Sequence, residues 1–394
     1  MTLSPDEIRA ELDQILPRRT PDMKMTTMGA GSDDLEDGRR YLAATVAGGW
    51  AVPAWPAGMG GRGADPEEAK TIGTVLREYA VPDLYAYAVG LGMVGPTVLA
   101  HGSPDQQQRW LHDIASGTEI WCQMFSEPEA GSDLANLAMR AERDGDEWVL
   151  NGQKVWTSRG LYAQWGLCLA RTDPDIPKHR GLTMFGIRMD TPGIEVRPLA
   201  QMNGDRHFSE VFVTDARVPL DALIGDVGIG WNVAMTVLAH ERALAGESRG
   251  GGDGAARNER VPRWIQELRP TGVLGDPLWR QRMMTVHTAD ESAKWTAARA
   301  AASRNPGPAG SGAKLRKVAS YKGRAYTSSD AQGAAGMLSD SDGFIELVTA
   351  PSMSIRGGTD EIQRNIVGER VLGLPGEPRV DRDVPWSESR RGTR

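Results

Sequence analysis

The chain has 394 residues, of which 40% are hydrophobic and 25% charged, and this composition is typical of a globular protein with about two or three domains. The formal net charge of −7 argues against a nucleic-acid-binding protein, which needs a basic face. Two cysteines exclude a disulfide framework, and no apolar run approaches the length of about 18 residues that a membrane span needs, so we expect a cytoplasmic protein.

In residues 1–118, three helix-start patterns predict an N-terminal α-helical domain. Ser4, Asp65 and Ser103 each stand directly before a proline, which is the favoured order at the N-cap and the first helical position. Acidic residues follow in each first turn, where they interact favourably with the helix dipole.

Residues 119–228 predict a middle antiparallel β domain with a barrel-like sheet. Short segments rich in β-branched and aromatic residues, such as EIWCQMFS and EWVLNGQKVWTS, replace the helical pattern here. The pairs Asp144-Gly145 and Asn151-Gly152 are turn signals and predict hairpins between the strands.

Residues 229–394 return to a helical pattern. Their segments are long and amphipathic, beginning with WNVAMTVLAHERALAG, and they predict a C-terminal four-helix bundle. The predicted fold class is therefore α+β, with the elements following one another along the chain in the order α, β, α.

Two glycine-rich stretches, residues 58–63 and 90–95, match the dinucleotide-binding pattern G-x-G-x-x-G. That pattern binds a pyrophosphate only when it follows a strand inside a βαβ unit. The first stretch follows VPAWPA and the second lies within an apolar helical stretch, so we do not expect a Rossmann site.

The stretch CQMFSEPEAGSDLANL, residues 122–137, is the strongest local candidate for a binding site. It leads from a strand through Phe125 and Ser126 into a Gly/Pro loop, where exposed backbone N–H groups and hydroxyls can bind a phosphate or the polar edge of a flat ring. An ordinary β-turn with an Asx cap has the same composition, and the residues alone leave both interpretations open.

Two further stretches are ambiguous in the same way. Trp156, Thr157 and Ser158 lie on a predicted strand, either as part of a binding site or as a cross-strand aromatic pair. Glu241 and Arg242 interrupt a helix of mostly Ala, Leu and Val, and they form either a solvated stripe or a buried functional pair.

Four motifs in this order, CQMFSEPEAGSD, NGQKVWTS, ARTDPDIPKHRG and RGGTDEIQRNIVGERVLGLP, resemble those of acyl-CoA dehydrogenases, and the resemblance covers nearly the whole chain. It implies that FAD is held between the β domain and the bundle. It also implies α,β-dehydrogenation of an acyl-CoA, in which the α-proton is removed as a hydride passes from the β-carbon to flavin N5. The implied electron acceptor is an electron-transferring flavoprotein.

The resemblance also implies roles for individual residues. Ser126 would lie near flavin N5, and Ser132 near the pyrophosphate or the CoA. The backbone at Gly357 and Gly358 would bind the substrate by donating to the thioester carbonyl, and Arg242 would orient the helix at the active site. The residues implied to bind FAD are Gln123, Phe125, Ser126, Ser132, Trp156, Thr157, Ser158, Thr359 and Glu361.

The residue implied as the catalytic base is Glu241. Most of the family carries a glutamate just before Gly-Thr in the loop that here reads IRGGTDEIQR, but this position is Gly357. A minority of members places the glutamate on a bundle helix instead, and Glu241 falls at the matching position. The space at Gly357 would then admit the substrate's α-carbon or a bulkier acyl group.

Two departures from the family pattern leave the assembly open. Residues 249–282 lack the usual Arg-x-x-Phe-Gly stretch, which reaches the FAD of a neighbouring subunit, and residues 332–338 read QGAAGML where Gln-x-x-Gly-Gly-x-Gly is usual. The chain is then either a homo-oligomer or one subunit of a heteromer that shares an FAD site. A flavin-dependent oxidase of the same fold, and an acyl group bound to a carrier protein instead of CoA, also stay open.

Overall fold

The computed structural model describes residues 3–20, 35–247, 262–302, 306–338, 341–378 and 380–389. The chain divides into two compact units. The first unit comprises Met1–Ala200, Arg206–Glu241 and Val380–Arg394, and the second comprises Gln201–Asp205 and Arg242–Arg379.

The first unit begins with the helical region that the sequence predicts. Its helices are α1 (Pro5–Leu12), α2 (Leu35–Val46), α3 (Pro66–Leu76), α4 (Gly95–His101) and α5 (Pro104–Ala115). The three predicted helix starts are confirmed. Ser4 and Ser103 each form a capping box with the third helical residue, and the Asp65 carboxylate accepts from two backbone N–H groups of the first turn.

A seven-stranded sheet follows the helices. Its strands are β1 (Trp121–Met124), β2 (Arg140–Asp144), β3 (Glu147–Ser158), β4 (Trp165–Arg171), β5 (Leu182–Arg188), β6 (Ile194–Leu199) and β7 (Phe208–Pro219). They pair in the order β1-β4-β2-β3-β7-β6, and β5 also pairs with β4. Four pairs are antiparallel, as predicted, whereas β1 and β2 run parallel to β4. The sheet is mixed because β1, β2 and β4 share one direction.

One predicted hairpin turn is confirmed and the other is wrong. Asp144-Gly145 joins β2 to β3, whereas Asn151-Gly152 lies inside β3 at a shift in register against β7. A Cβ at Gly152 would lie 2.8 Å from the Met139 Cα. Glycine is therefore needed at this position because another part of the chain approaches the strand closely, and not because the chain turns.

Three buried tryptophans join the helices to the sheet within the first unit. Trp110 on α5 meets Trp121 on β1 and Trp165 on β4 edge-on, with ring centroids 5.2 and 5.5 Å apart, and the two strand tryptophans stack at 5.3 Å. The stretch 90–95 contributes to the same region, because residues 90–94 form a π-helical turn in which a Cβ at Gly90 would lie 3.2 Å from Ile114 on α5 and 3.9 Å from the Trp121 Cβ. These contacts fix β1, from which the predicted binding loop departs.

The second unit is helical. The chain enters it through α6 (Gly230–Glu247), and α7 (Arg263–Gln266), α8 (Pro277–Ala301), α9 (Pro306–Gln332), α10 (Asp342–Thr349) and α11 (Asp360–Ile366) follow. The long helices α8 and α9 pack where Val286 faces Gly323, and an Arg282–Asp330 ion pair joins them. A last short helix, α12 (Trp386–Ser389), belongs to the first unit.

This order of helices, sheet and helices confirms the predicted α+β fold class. Within the parts of the chain that the structure describes, no helix is both long enough and apolar enough to cross a membrane. In the same parts, no three His, Cys, Asp or Glu side chains come together as metal ligands.

Candidate active site

The loop after β1 runs beside the C-terminal half of β3. Phe125 and Ser126 continue from β1, and the backbone N–H of Val155 donates to the Ser126 carbonyl at 2.9 Å. This hydrogen bond places Ser126 beside the stretch that begins with Trp156. Two of the predicted binding stretches, which are separate in sequence, therefore lie together on the first unit.

Trp156 adopts a strained backbone conformation at this place. Its φ of 60° lies in the left-handed region, which bulky residues rarely enter, and β3 shifts register against β7 between Lys154 and Thr157. The indole is 55% exposed and meets Phe208 edge-on, with ring centroids 5.8 Å apart. Because strained residues cluster at functional sites, this conformation supports the role predicted for Trp156.

The neighbours of Trp156 face opposite sides of the strand. Thr157 is fully buried, whereas Ser158 is half-buried. The accessible face is therefore formed by Trp156, Ser158 and Ser126, whereas the Thr157 hydroxyl is buried and has no hydrogen-bond partner among the described residues. Phe125 is buried as well.

A buried ion pair that the sequence analysis did not single out holds this surface in place. Lys154 Nζ donates to the Glu127 carboxylate at 2.9 Å and to the carbonyls of Phe125 and Leu169 at 3.0 and 2.7 Å, which uses all three ammonium protons. Glu127 also accepts from two backbone N–H groups just before β2, at 2.6 and 2.9 Å. The pair therefore connects β3, β4 and both ends of the loop after β1.

The tip of this loop is exposed. Gly131, Ser132 and Asp133 are all accessible to solvent, and the Asp133 carboxylate pairs with Lys178 at 3.0 Å. A serine hydroxyl and backbone N–H groups on a turn that is held from both sides can bind a phosphate. Gln123, the remaining predicted residue of this region, is half-buried on β1.

These residues fit a flat, partly polar ring system with attached phosphates, such as a flavin nucleotide. Trp156 offers an exposed aromatic face, and the half-buried Ser126 and Ser158 stand beside it. Ser132 lies at the exposed tip of the loop. A ring that covered the exposed indole would be bound favourably, because the apolar surface of the indole would be removed from contact with water.

The two glycines of IRGGTDEIQR serve different purposes within the second unit. Both have positive φ, 66° at Gly357 and 85° at Gly358. A Cβ at Gly357 would meet nothing within 4 Å, whereas a Cβ at Gly358 would lie 2.5 Å from Nε2 of the buried Gln363. That side chain donates to the Gly357 carbonyl at 3.3 Å. Gly357 therefore leaves space open, and Gly358 allows the loop to pack on α11.

The residues that follow the glycines begin α11. The Thr359 hydroxyl accepts from the Ile362 backbone N–H at 3.2 Å and so acts as the N-cap. Glu361 is exposed and lies 3.4 Å from Arg364. Of these two residues predicted to bind FAD, only Glu361 has a side chain that is not committed to the start of the helix.

Asp360 ties the glycine loop to α9. Its carboxylate lies 2.8 Å from Lys314 Nζ, and it also accepts from Ser354, whose hydroxyl receives a hydrogen bond from Lys322 at 2.8 Å. Burial acts to raise the pKa of Asp360, but the hydrogen bonds from Lys314 and Ser354 outweigh it and hold the pKa below its usual range. The loop from 355 to 359 is thus anchored at both ends.

Lowering the pH should weaken this anchor. A carboxyl whose pKa is depressed in the folded state contributes stability above its unfolded pKa and loses it as the pH falls through the folded value. We therefore expect Asp360→Asn to cost about 1 kcal/mol of unfolding free energy at pH 7 and progressively less as the pH falls below about 4. Thermal unfolding across this range measures the difference, with exposed Glu361→Gln as the control. A difference that did not change with pH would contradict the assignment.

The candidate base lies on the inner stripe of α6. Ala234 and Val237 are buried on this helix, and Glu241 follows them by seven and four residues, which places it on the same face. Met235 and Ala239 are exposed on the other faces, whereas Glu241 is half-buried. The position therefore favours a functional carboxylate over a solvated stripe.

The predicted site residues fall in both units. Glu241 and the predicted residues between 123 and 158 belong to the first, and those from 357 to 361 belong to the second. The side chain of Arg242 and residues 249–261 lie outside what the structure describes. The roles of all these residues stay predictions.

Models of three acyl-CoA dehydrogenase domains match the chain in the order that the fold shows. The N-terminal domain matches residues 28–118, the middle domain residues 122–216 and the C-terminal domain residues 228–372. Among curated proteins, acyl-CoA dehydrogenase IpdE1 of Mycobacterium tuberculosis H37Rv is 36% identical over 366 residues, which cover 89% of this chain and 91% of that protein.

Solved structures agree with these sequence matches. The Tcur3481-Tcur3483 steroid ACAD is 26% identical with a TM-score of 0.72, and the match covers 95% of this chain and 97% of that one. The ChsE4-ChsE5 complex from Mycobacterium tuberculosis contains a chain that is 26% identical with a TM-score of 0.68, covering 96% and 100%. The resemblance seen in the sequence is thereby confirmed, and the protein belongs to the acyl-CoA dehydrogenase family of flavin-dependent oxidoreductases.

Proposed function

We propose that this chain catalyses the FAD-dependent α,β-dehydrogenation of an acyl-CoA, with Glu241 as the base. The observation that carries the proposal is the position of Glu241. It is half-buried on the apolar stripe of α6, in a chain whose loop has Gly357 where most of the family has its glutamate. A carboxylate partly shielded from water can accept a proton from a weak carbon acid.

The residues proposed to bind FAD lie on the accessible face of the first unit and, within the second unit, at the start of α11. Bound FAD would accept the hydride that leaves the β-carbon. Trp156 would cover its ring, Ser126 and Ser158 would donate hydrogen bonds to it, and Ser132 would bind a phosphate. The full proposed set is Gln123, Phe125, Ser126, Ser132, Trp156, Thr157, Ser158, Thr359 and Glu361.

The chain's own groups would supply the acid–base chemistry. Glu241 removes the proton from the carbon next to the thioester. The backbone at Gly357 and Gly358 donates hydrogen bonds to the thioester oxygen, where negative charge develops as the proton leaves. Arg242 is proposed to orient α6 at this step.

The substrate class follows from the open space at Gly357. Gly357 has no side chain and a Cβ there would meet nothing within 4 Å, so this position does not obstruct an acyl group bulkier than a straight chain. The similarity to a protein described as a steroid ACAD supports this choice. We assign CoA as the carrier, an electron-transferring flavoprotein as the electron acceptor and the cytoplasm as the compartment.

A second candidate is one subunit of a heteromeric acyl-CoA dehydrogenase. One similar structure is described as the ChsE4-ChsE5 complex, and another carries the double name Tcur3481-Tcur3483. The sequence between 249 and 282 also lacks the Arg-x-x-Phe-Gly stretch that reaches the FAD of a neighbouring subunit in most of the family. In this case, residues of a related partner subunit would complete the FAD site.

An absorbance spectrum of the purified protein, with and without acyl-CoAs in the absence of oxygen, tests both candidates. We expect flavin bands that bleach with a bulky acyl-CoA and less with a short straight-chain one. A flavin that no acyl-CoA bleaches would contradict the proposed reaction. A protein that holds flavin only after a related subunit is added would favour the heteromer, and hydrogen peroxide formed in step with substrate loss in air would favour an oxidase.

A further inference from the structure

The segment of residues 380–389, here named the C-terminal strap, returns to the first unit after the chain has formed the second. Its backbone pairs with the loop between β4 and β5. The backbone N–H of Trp386 donates to the Ile176 carbonyl at 3.0 Å, and the backbone N–H of Ser387 donates to the Pro174 carbonyl at 2.9 Å. The strap is therefore a built part of the first unit and not a free end.

Trp386 connects the strap to the binding loop after β1. Its indole N–H donates to the Asn136 side-chain oxygen at 2.9 Å, and its ring lies 4.3 Å from the guanidinium carbon of Arg171. Arg171 is buried and donates in turn to the carbonyls of Ala135 and Leu137, at 2.7 and 3.2 Å. The turn at residues 134–136 is thus held by the strap directly and through Arg171.

Lys178 makes a second connection, nearer the loop tip. Its ammonium lies 3.0 Å from both carboxylate oxygens of Asp133 and 2.6 Å from Asp381 of the strap. Burial acts to lower the pKa of Lys178, but the hydrogen bonds to Asp381 and Asp133 outweigh it and raise the pKa. Because two carboxylates already surround this cation, it serves to hold Asp133 in place, and Asp133 follows Ser132 directly.

We propose that the C-terminal strap is a positioning element for the phosphate-binding turn Gly131–Asp133. This inference rests on the proposed function, in which Ser132 binds a phosphate of FAD or of CoA. An exposed turn must lose conformational freedom when it binds a phosphate. The strap fixes the turn beforehand, so less freedom is lost on binding and the affinity is higher.

The test is Asp381→Asn, with Asp383→Asn as the matched control. Each change removes one negative charge from the strap. Asp381 pairs with Lys178, whereas Asp383 is exposed and makes no ion pair with the described residues. Trp386→Phe is a second, independent variant, which loses the indole N–H to Asn136 and keeps an aromatic ring over Arg171. For each protein, the dissociation constant of FAD is measured with the apo form. KM and kcat are then measured with an acyl-CoA and with the same acyl group on pantetheine. Acyl-pantetheine lacks the nucleotide phosphates of CoA.

We expect Asp381→Asn and Trp386→Phe to weaken phosphate binding about three- to tenfold, while Asp383→Asn does not. A raised FAD dissociation constant would identify the FAD pyrophosphate as the ligand. A raised KM for acyl-CoA, with kcat and the acyl-pantetheine KM unchanged, would identify the CoA phosphates.

Two outcomes would overturn the inference. If wild type binds FAD and acyl-CoA and both strap variants match it, the strap does not position the turn, and the proposed function stands. If wild type, alone or with a related subunit, binds neither FAD nor acyl-CoA, the proposed function fails and the inference fails with it.

Discussion

Replacing Glu241 with Gln is expected to lower the rate of flavin reduction by substrate about 10²- to 10⁴-fold while FAD stays bound. Glutamine has nearly the same shape and keeps the packing of α6, where Ala234 and Val237 form the buried stripe. It cannot accept a proton at the pH of the reaction. Rapid-mixing absorbance without oxygen measures the rate, and the flavin content of the purified variant shows whether the fold and the cofactor are retained.

An independent measurement follows the proton itself. Exchange of the α-proton of a bound acyl-CoA with deuterium oxide needs only the base, and this exchange should also fall in Glu241→Gln. Glu291→Gln is the control, because Glu291 lies on α8 and pairs with Lys294 at 2.6 Å. Flavin reduction at the wild-type rate in Glu241→Gln would remove Glu241 as the base, whatever the outcome for the cofactor.

Replacing Lys154 with Met is expected to lower the free energy of unfolding by about 3 to 5 kcal/mol. The lysine is fully buried, and its removal leaves the Glu127 carboxylate without its cation and takes one donor from each of two carbonyls. Chemical denaturation followed by circular dichroism measures the loss. The flavin affinity should fall as well, because the same lysine holds both ends of the loop that carries Ser132.

Two further variants separate the ion pair from a simple loss of packing. Lys294→Met removes an exposed lysine and should change stability by less than about 0.5 kcal/mol. The double variant Lys154→Met/Glu127→Gln should lose less than the sum of the two single changes, since no unpaired charge stays buried. A loss below about 1 kcal/mol in Lys154→Met would show that the pair does not hold the loop.

The features that the sequence predicts well depend on neighbours in the chain. Ser4 and Ser103 mark helix starts because a capping box joins residues only three positions apart. Prediction from neighbouring residues fails at Asn151-Gly152. These residues favour a turn, but the contact that determines the conformation is with Met139. A glycine chosen for close approach to a distant segment cannot be told from a turn glycine by its neighbours alone.

The features that the sequence does not predict join distant segments. Glu127 lies in the motif CQMFSEPEAGSD and Lys154 in NGQKVWTS, and a lysine inside a predicted strand next to Val155 is a local signal of a buried charge. Their pairing across 27 positions shows only in the fold. The contact between Trp386 and Asn136 spans 250 positions, and no local pattern indicates it.

The C-terminal strap also has a consequence for biosynthesis. Residues 380–389 complete the first unit, yet they leave the ribosome only after every residue of the second unit has been synthesised. Domains usually fold in the order in which they emerge, but here the earlier unit has to wait for its last segment. Lys178 and Arg171 lack their strap partners throughout that interval, so the turn at Ser132 gains its final support only after the second unit has been synthesised.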